Sequence, residues 1–143
     1  MIQRIQSIYL LLAGASVLSL FALPLANSKK DIAASTLFQD SIFNLQDHIA
    51  LLVLFALGGG LALLSIFLFN NRKLQIKLNQ GVLFLLVAGI GLAAFLLFND
   101  NTIEKAQLDL GTFAPLLGFI FTTLGIRSIK KDEKLVSSAD RLR

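Results

Sequence analysis

The stretch NNRKLQIKLNQ, at residues 70–80, decides how this chain is organised. It carries three basic side chains and no acidic one, and it separates two long apolar runs at residues 49–69 and 81–98. A short basic connection between two such runs is typical of a helical hairpin in a bilayer, with the connection facing the cytoplasm. The sequence therefore predicts a membrane hairpin centred on this stretch.

Composition extends this prediction to the whole chain. The 143 residues are 55% hydrophobic with a mean hydropathy of +0.74, whereas soluble domains are about 45–50% apolar. The apolar residues are concentrated in four blocks, which predict spans at about residues 5–26, 48–69, 79–98 and 111–128. We expect an all-α membrane protein, a four-transmembrane-helix bundle over residues 1–128, followed by a charged cytoplasmic tail at 129–143.

The first block has a competing interpretation as a cleaved signal peptide. Its apolar run is longer than the ~7–15 residues of a signal core. Cleavage after Ala26 would also place Pro24 at a position that normally takes a small residue. We therefore expect a retained helix.

Charge asymmetry predicts the orientation. Ten of the thirteen Lys and Arg residues lie in segments 1–4, 70–80 and 127–143, and only three lie in the connections at 27–47 and 99–110. This bias favours cytoplasmic N and C termini. It also accounts for the net charge of +4, so we expect no nucleic-acid partner.

The outer connection at residues 27–47 contains more apolar side chains than a solvated linker needs, Phe38 and Phe43 among them. We expect it to pack on the outer end of the bundle, as a short strand pair or an interfacial turn. The fold prediction thus includes a small β element in the outer loops.

Small residues at helical spacing occur in every block. In lipid, helices associate through close packing at such residues, because there is little hydrophobic driving force between them. The residues we expect at these helix contacts are Ala15, Ser19, Gly58, Gly60, Gly89, Ala93, Gly118 and Gly125.

The sequence offers little material for catalysis or ion transport. Transporters usually keep a charged residue inside the membrane; small multidrug exporters, for example, have an embedded Glu. The second to fourth apolar blocks of this chain contain no charged residue. The chain has no Cys and one His, which excludes the usual zinc sites. Asp47–His48 is the one acid–imidazole pair, either a helix cap at the wet interface or a pH-sensitive contact or weak metal ligand. We expect no catalytic site, no cofactor and no metal.

Basic side chains are the main candidates for contact with a partner or with anionic lipid head groups. They are Arg72, Lys73, Lys77, Arg127, Lys130, Lys131, Lys134, Arg141 and Arg143. If the tail is helical, Leu135, Val136, Ala139 and Leu142 share one face. Such a tail lies on the membrane surface, docks on a partner or frays.

Three motifs span the chain: the opening MIQRIQSIYLLLA, the central NRKLQIKLN and the final KKDEKLVSSADRLR. In these motifs the chain resembles a family of small four-helix inner-membrane proteins of Gram-negative bacteria, domain of unknown function number 4293. The resemblance implies a multi-pass protein of the bacterial inner membrane. It supplies no activity and no catalytic residue.

Two functions remain open. The first is a non-enzymatic accessory or scaffold subunit that docks a larger membrane-protein complex through its basic loop and tail. The alternative is a carrier or pore for an apolar or lipid-like substrate. A lipid-sized cavity between the helices would favour the alternative, and a tightly packed core would count against it.

Overall fold

Four helices and a small sheet make up the part of the chain that the computed structural model describes, residues 2–28, 41–99 and 106–140. The helices are α1 (Ile2–Leu18), α2 (Ile49–Ile66), α3 (Arg72–Asn99) and α4 (Phe113–Asp140). The strands are β1 (Ala26–Ser28), β2 (Ile42–Phe43) and β3 (Ala106–Leu108). Between a helix and a strand the chain forms a single 3-10 turn, at Ser19–Phe21, Leu45–Asp47 and Leu110–Thr112.

The helices follow one another around the bundle. Helix α1 packs on α2 and α4, and α3 packs on the same two helices. The α2–α3 connection lies at one end, with the start of α1 and the last turns of α4. We call this the basic end, defined by residues 72–80 of α3 and 127–140 of α4. The opposite end carries the strands, and we call it the sheet end.

The sheet confirms the predicted β element and is larger than a strand pair. Strand β1 is central and antiparallel to both β2 and β3, with Ala26 opposite Phe43 on one side and Leu108 on the other. The third strand comes from the α3–α4 connection. Both helix–helix connections at this end are therefore tied together by backbone hydrogen bonds.

Three helical segments are long and apolar enough to cross a membrane: Ile49–Ile66, Arg72–Asn99 and Leu110–Val136. The apolar part of the first helix, Ile5–Phe21, is shorter. By length and composition the described residues thus provide three such segments and one shorter apolar helix.

The ends of the helices differ from several of the predicted span limits. The first helix ends at Leu18 and not near residue 26, because the chain turns at Ser19–Phe21 and Ala26 enters the sheet. The stretch at 70–80 is mostly helix: α3 begins at Arg72, and the side chain of Asn71 accepts a hydrogen bond from Leu74 N at 3.2 Å. The boundary at 128/129 falls inside α4. The last three residues lie outside the described residues.

Glycines set most of the close helix contacts. A Cβ at Gly89 would lie 2.7 Å from the Phe55 ring of α2, and a Cβ at Gly58 would lie 3.5 Å from Leu86 of α3. On the other side of the bundle, Gly118 packs on Val17 of α1. Gly125 packs on Leu10 of α1, and Ala93 lies partly buried against the core.

Two residues predicted to pack between helices, Ala15 and Gly60, do not do so. Ala15 is exposed, and a Cβ at Gly60 would meet nothing within 4 Å. The hydroxyl of Ser19 donates to Ser16 O at 2.7 Å within its own segment. The neighbours Gly14 and Gly59 take these places, against Leu63 and Leu18 respectively.

Candidate functional site

Six exposed cations cover the basic end. On α3 they are Lys73 and Lys77, one helical turn apart. On α4 they are Arg127, Lys130, Lys131 and Lys134. Their spacings of three, one and three residues place all four on one face of the helix. All six were predicted as contact residues. Arg141 and Arg143 lie outside the described residues.

Arg72, the seventh predicted contact residue of this region, is held in an ion pair. Its Nη2 atom lies 3.1 Å from Oδ2 of Asp132, and the two side chains are 24% and 11% exposed. The pair ties the first turn of α3 to α4. Arg72 is therefore better described as a structural link than as a free cation for a partner.

Asp132 was not singled out from the sequence, although a signal for it exists. It continues an inward stripe of α4 that runs through Gly118, Thr122, Gly125 and Ile129, at alternating spacings of four and three residues. An acid on such a stripe indicates a buried partner charge.

A hydrogen-bond network of Ser65, Gln75 and Asn79 fills the interior between α2 and α3. Gln75 Nε2 donates to Ser65 O at 2.9 Å, and Asn79 Nδ2 donates to Gln75 O at 2.8 Å. Ser65 Oγ lies 3.3 Å from Asn79 Oδ1 and also donates to Ala62 O at 2.7 Å. All three residues are buried. We call this cluster the polar network.

The network contains one orphan atom. Gln75 Oε1 is buried and accepts no hydrogen bond from the described residues. Nearby on α1, Gln6 is also buried, and its Nε2 donates to Ser128 O of α4 at 3.4 Å. The interior of the basic end thus contains buried polar groups, neutral amides and a hydroxyl, in addition to the Arg72–Asp132 pair.

An apolar cavity of about 340 Å³ lies at the opposite, sheet end. Helix α3 supplies half of its lining residues: Ile90, Ala93, Ala94, Leu97 and Phe98. Phe55, Leu25, Leu108, Thr112 and Pro115 complete the wall. None of these ten lining residues is charged, and the Thr112 hydroxyl already donates to Leu25 O.

Asp47 and His48 do not form a site together. Asp47 Oδ2 accepts from Asn44 N at 2.6 Å and so caps the 3-10 turn before α2, not α2 itself. His48 precedes α2 without a side-chain cap, and its Nδ1 is buried with no hydrogen-bond partner among the described residues. Over residues 2–28, 41–99 and 106–140, no group of three His, Asp or Glu side chains is placed to hold a metal ion.

The chain matches the family model described as Domain of unknown function (DUF4293) over residues 2–142. It belongs to this family. No curated protein and no solved structure matches the chain. Family membership assigns no activity to the basic end or to the cavity, so the function has to be argued from their geometry.

Proposed function

We propose that this member of the family is a multi-pass protein of the bacterial inner membrane that crosses the bilayer four times with both termini in the cytoplasm. Three segments are long and apolar enough to cross. For the first helix, about 17 residues is the lower limit for a span, and Ile5–Phe21 meets it. The concentration of cations at the basic end supports its cytoplasmic location.

In this proposal the protein is a non-enzymatic accessory subunit that docks a larger membrane-protein partner through the basic end. The observation that carries it is the set of six exposed cations on two helices that extend past the bilayer core. Helices α3 and α4 have 28 residues each. At ~1.5 Å per residue each is about 42 Å long, against about 30 Å of hydrocarbon.

The fixed geometry of these cations favours a protein partner over a purely topological role. Orientation by positive charge depends on the number of Lys and Arg residues near the membrane and not on their mutual arrangement. Here the cations stand on regular helices whose relative position is held by the Arg72–Asp132 pair. Anionic lipid is the competing ligand, at about 1 kcal/mol per charge.

A gentle-detergent pull-down from native membranes, with lysine-directed crosslinking and mass spectrometry, tests the docking role. We expect one stoichiometric partner crosslinked to Lys73, Lys77 or Lys130. Replacing these three lysines and Lys134 with Gln should release it.

The matched control replaces the three lysines assigned to the other side, Lys29, Lys30 and Lys105, with Gln, and should retain the partner. Arg141→Ala with Arg143→Ala asks whether the end of the tail also docks. Docking at the basic end is contradicted if the wild-type protein is recovered without a partner. It is also contradicted if both lysine variants lose the partner to the same extent.

The second candidate is a carrier or pore for an apolar or lipid-like substrate, and the sheet-end cavity favours it. We rank it second because the interior toward the basic end is filled. Leu10, Ile76, Ile126 and Ile129 pack together there, beside the polar network. Reconstituted protein that accelerates the transbilayer movement of a fluorescent phospholipid would reverse this ranking.

A further inference from the structure

The wall of the sheet-end cavity restricts the chemistry of an occupant. Among the described residues, Thr112 is the one polar side chain that lines it, and its hydroxyl already donates to Leu25 O. A polar group placed inside would lose its hydrogen bonds to water and, apart from the Thr112 oxygen, would find no side-chain partner among these residues, which is unfavourable. The occupant is therefore apolar over the whole depth of the cavity.

The mouth of the cavity faces an apolar exterior. Two of its lining residues, Phe98 and Leu108, are 74% and 65% exposed, so they lie at the rim. Phe95, one turn before Phe98 on α3, is 62% exposed beside them. An apolar ligand reaches this opening more readily from the bilayer than from water, because the rim residues that the structure describes are apolar.

The volume of the cavity is that of a small ligand site. It measures about 340 Å³, which lies just above the lower limit of about 300 Å³ that small-molecule sites show.

We propose that this cavity is a binding site for one alkyl chain of a bilayer phospholipid, inserted between α3 and α4 at the sheet end. The inference rests on the membrane location proposed above and is independent of docking at the basic end. The small side chains Ala93 and Ala94 leave the space that the chain fills, and Phe55 and Leu97 contact it.

Native mass spectrometry of the protein extracted from its membranes in a mild detergent provides the first test. We expect one phospholipid to stay bound to the wild type under conditions that strip surface lipid. Ala93→Phe with Ala94→Leu fills the cavity and should abolish this adduct. Gly91→Leu is the matched control, because Gly91 is exposed on the same helix and a Cβ there meets nothing within 4 Å. It should retain the adduct.

Photolabelling of the wild type keeps the proposal falsifiable if the filled variant does not fold. The probe is a phospholipid with a diazirine on one acyl chain, reconstituted with the protein in vesicles. We expect label at Ala93, Ala94 and Leu97 well above the label at Phe84, which is 74% exposed on the same helix.

Label spread evenly along α3, adducts of detergent only, or a polypeptide crosslinked at Ala93 would each overturn the alkyl-chain site. A wild-type protein absent from the membrane fraction would overturn both proposals. A membrane protein that retains its docked partner but shows no selective labelling would overturn this inference alone.

Discussion

The two ends of the bundle differ inside as well as outside. At the basic end the interior contains the Ser65–Gln75–Asn79 network and the Arg72–Asp132 pair, and the exterior carries six cations. At the sheet end the interior includes an apolar cavity whose rim residues are exposed Phe and Leu, and the side-chain polar contacts lie around the strands, where Asn27 Nδ2 donates to Asp109 Oδ2 at 2.6 Å. The difference indicates that polar interactions fix the helices at one end, whereas backbone hydrogen bonds of the sheet fix the connections at the other.

Helix α3 contributes to both ends and shows the contrast most directly. One inward stripe runs from Gln75 and Asn79 through Val82 and Leu86 to Gly89. Its first members make hydrogen bonds and its last member accommodates the Phe55 ring. The same face of one helix therefore changes from polar to apolar along its length.

The largest effect is expected where the sheet end meets α4. A Cβ at Gly111 would collide with the backbone of Pro24, whose carbonyl accepts a hydrogen bond from Gly111 N at 3.1 Å. Backbone atoms cannot rotate away as a side chain can, so Gly111→Ala should lower the free energy of unfolding by about 3 kcal/mol or more. Thermal unfolding in detergent, followed by circular dichroism, measures it.

The control for this substitution is Gly91→Ala, where the added methyl meets nothing within 4 Å. It should leave stability unchanged or raise it by up to about 1 kcal/mol, because Ala is the better helix former. Equal unfolding temperatures for the two variants would show that the sheet end is not rigidly attached to the bundle.

An intermediate effect is expected at the ion pair of the basic end. Asp132→Asn removes one partner and leaves the partly buried Arg72 charge uncompensated, which should cost about 1–3 kcal/mol. Glu133→Gln, at the next and more exposed position of α4, should cost less than about 0.5 kcal/mol. Adding Arg72→Gln to Asp132→Asn should recover part of the loss in a double-mutant cycle, and strict additivity would mean that the pair is not coupled.

The smallest effect is expected in the polar network. Gln75→Leu removes the unpaired Oε1 together with the donor to Ser65 O, but that carbonyl still accepts from Leu68 N at 3.2 Å. No new buried polar group is orphaned in α2, so stability should change by less than about 1 kcal/mol. A loss above about 2 kcal/mol would show that the amide contributes more than these hydrogen bonds account for.

The sequence was sufficient for the coarse fold because apolar blocks and turn residues are local signals. It predicted four helical blocks, and a β element in the connections, which the sheet confirms. The start of α3 was missed because the inward stripe begins with Gln75 and Asn79. These residues carry no hydrophobic signal, and their Lys neighbours suggested a loop. The sequence was searched for charged residues inside the apolar blocks. Such a search does not find Gln75 and Asn79, because their amides are neutral and form their hydrogen bonds only in the folded bundle.

The choice among neighbouring glycines could not be made from the sequence either. Successive residues of a helix point about 100° apart, so Gly58, Gly59 and Gly60 face different neighbours. Gly59 meets Leu18 and Gly58 meets Leu86, whereas Gly60 meets neither. Only the placement of α1 and α3 around α2 decides which glycine is in contact, and that placement is a tertiary property.

The central claim, that the two ends lie on opposite sides of the inner membrane with the basic end in the cytoplasm, is tested most directly by cysteine accessibility. The chain has no Cys, so Lys131→Cys and Gln107→Cys each introduce a single thiol at an exposed position, one at each end. A membrane-impermeant maleimide that reaches the periplasm should label Gln107→Cys in intact cells and Lys131→Cys only after the inner membrane is permeabilised. Labelling of both variants in intact cells, or the reverse order, would contradict the account.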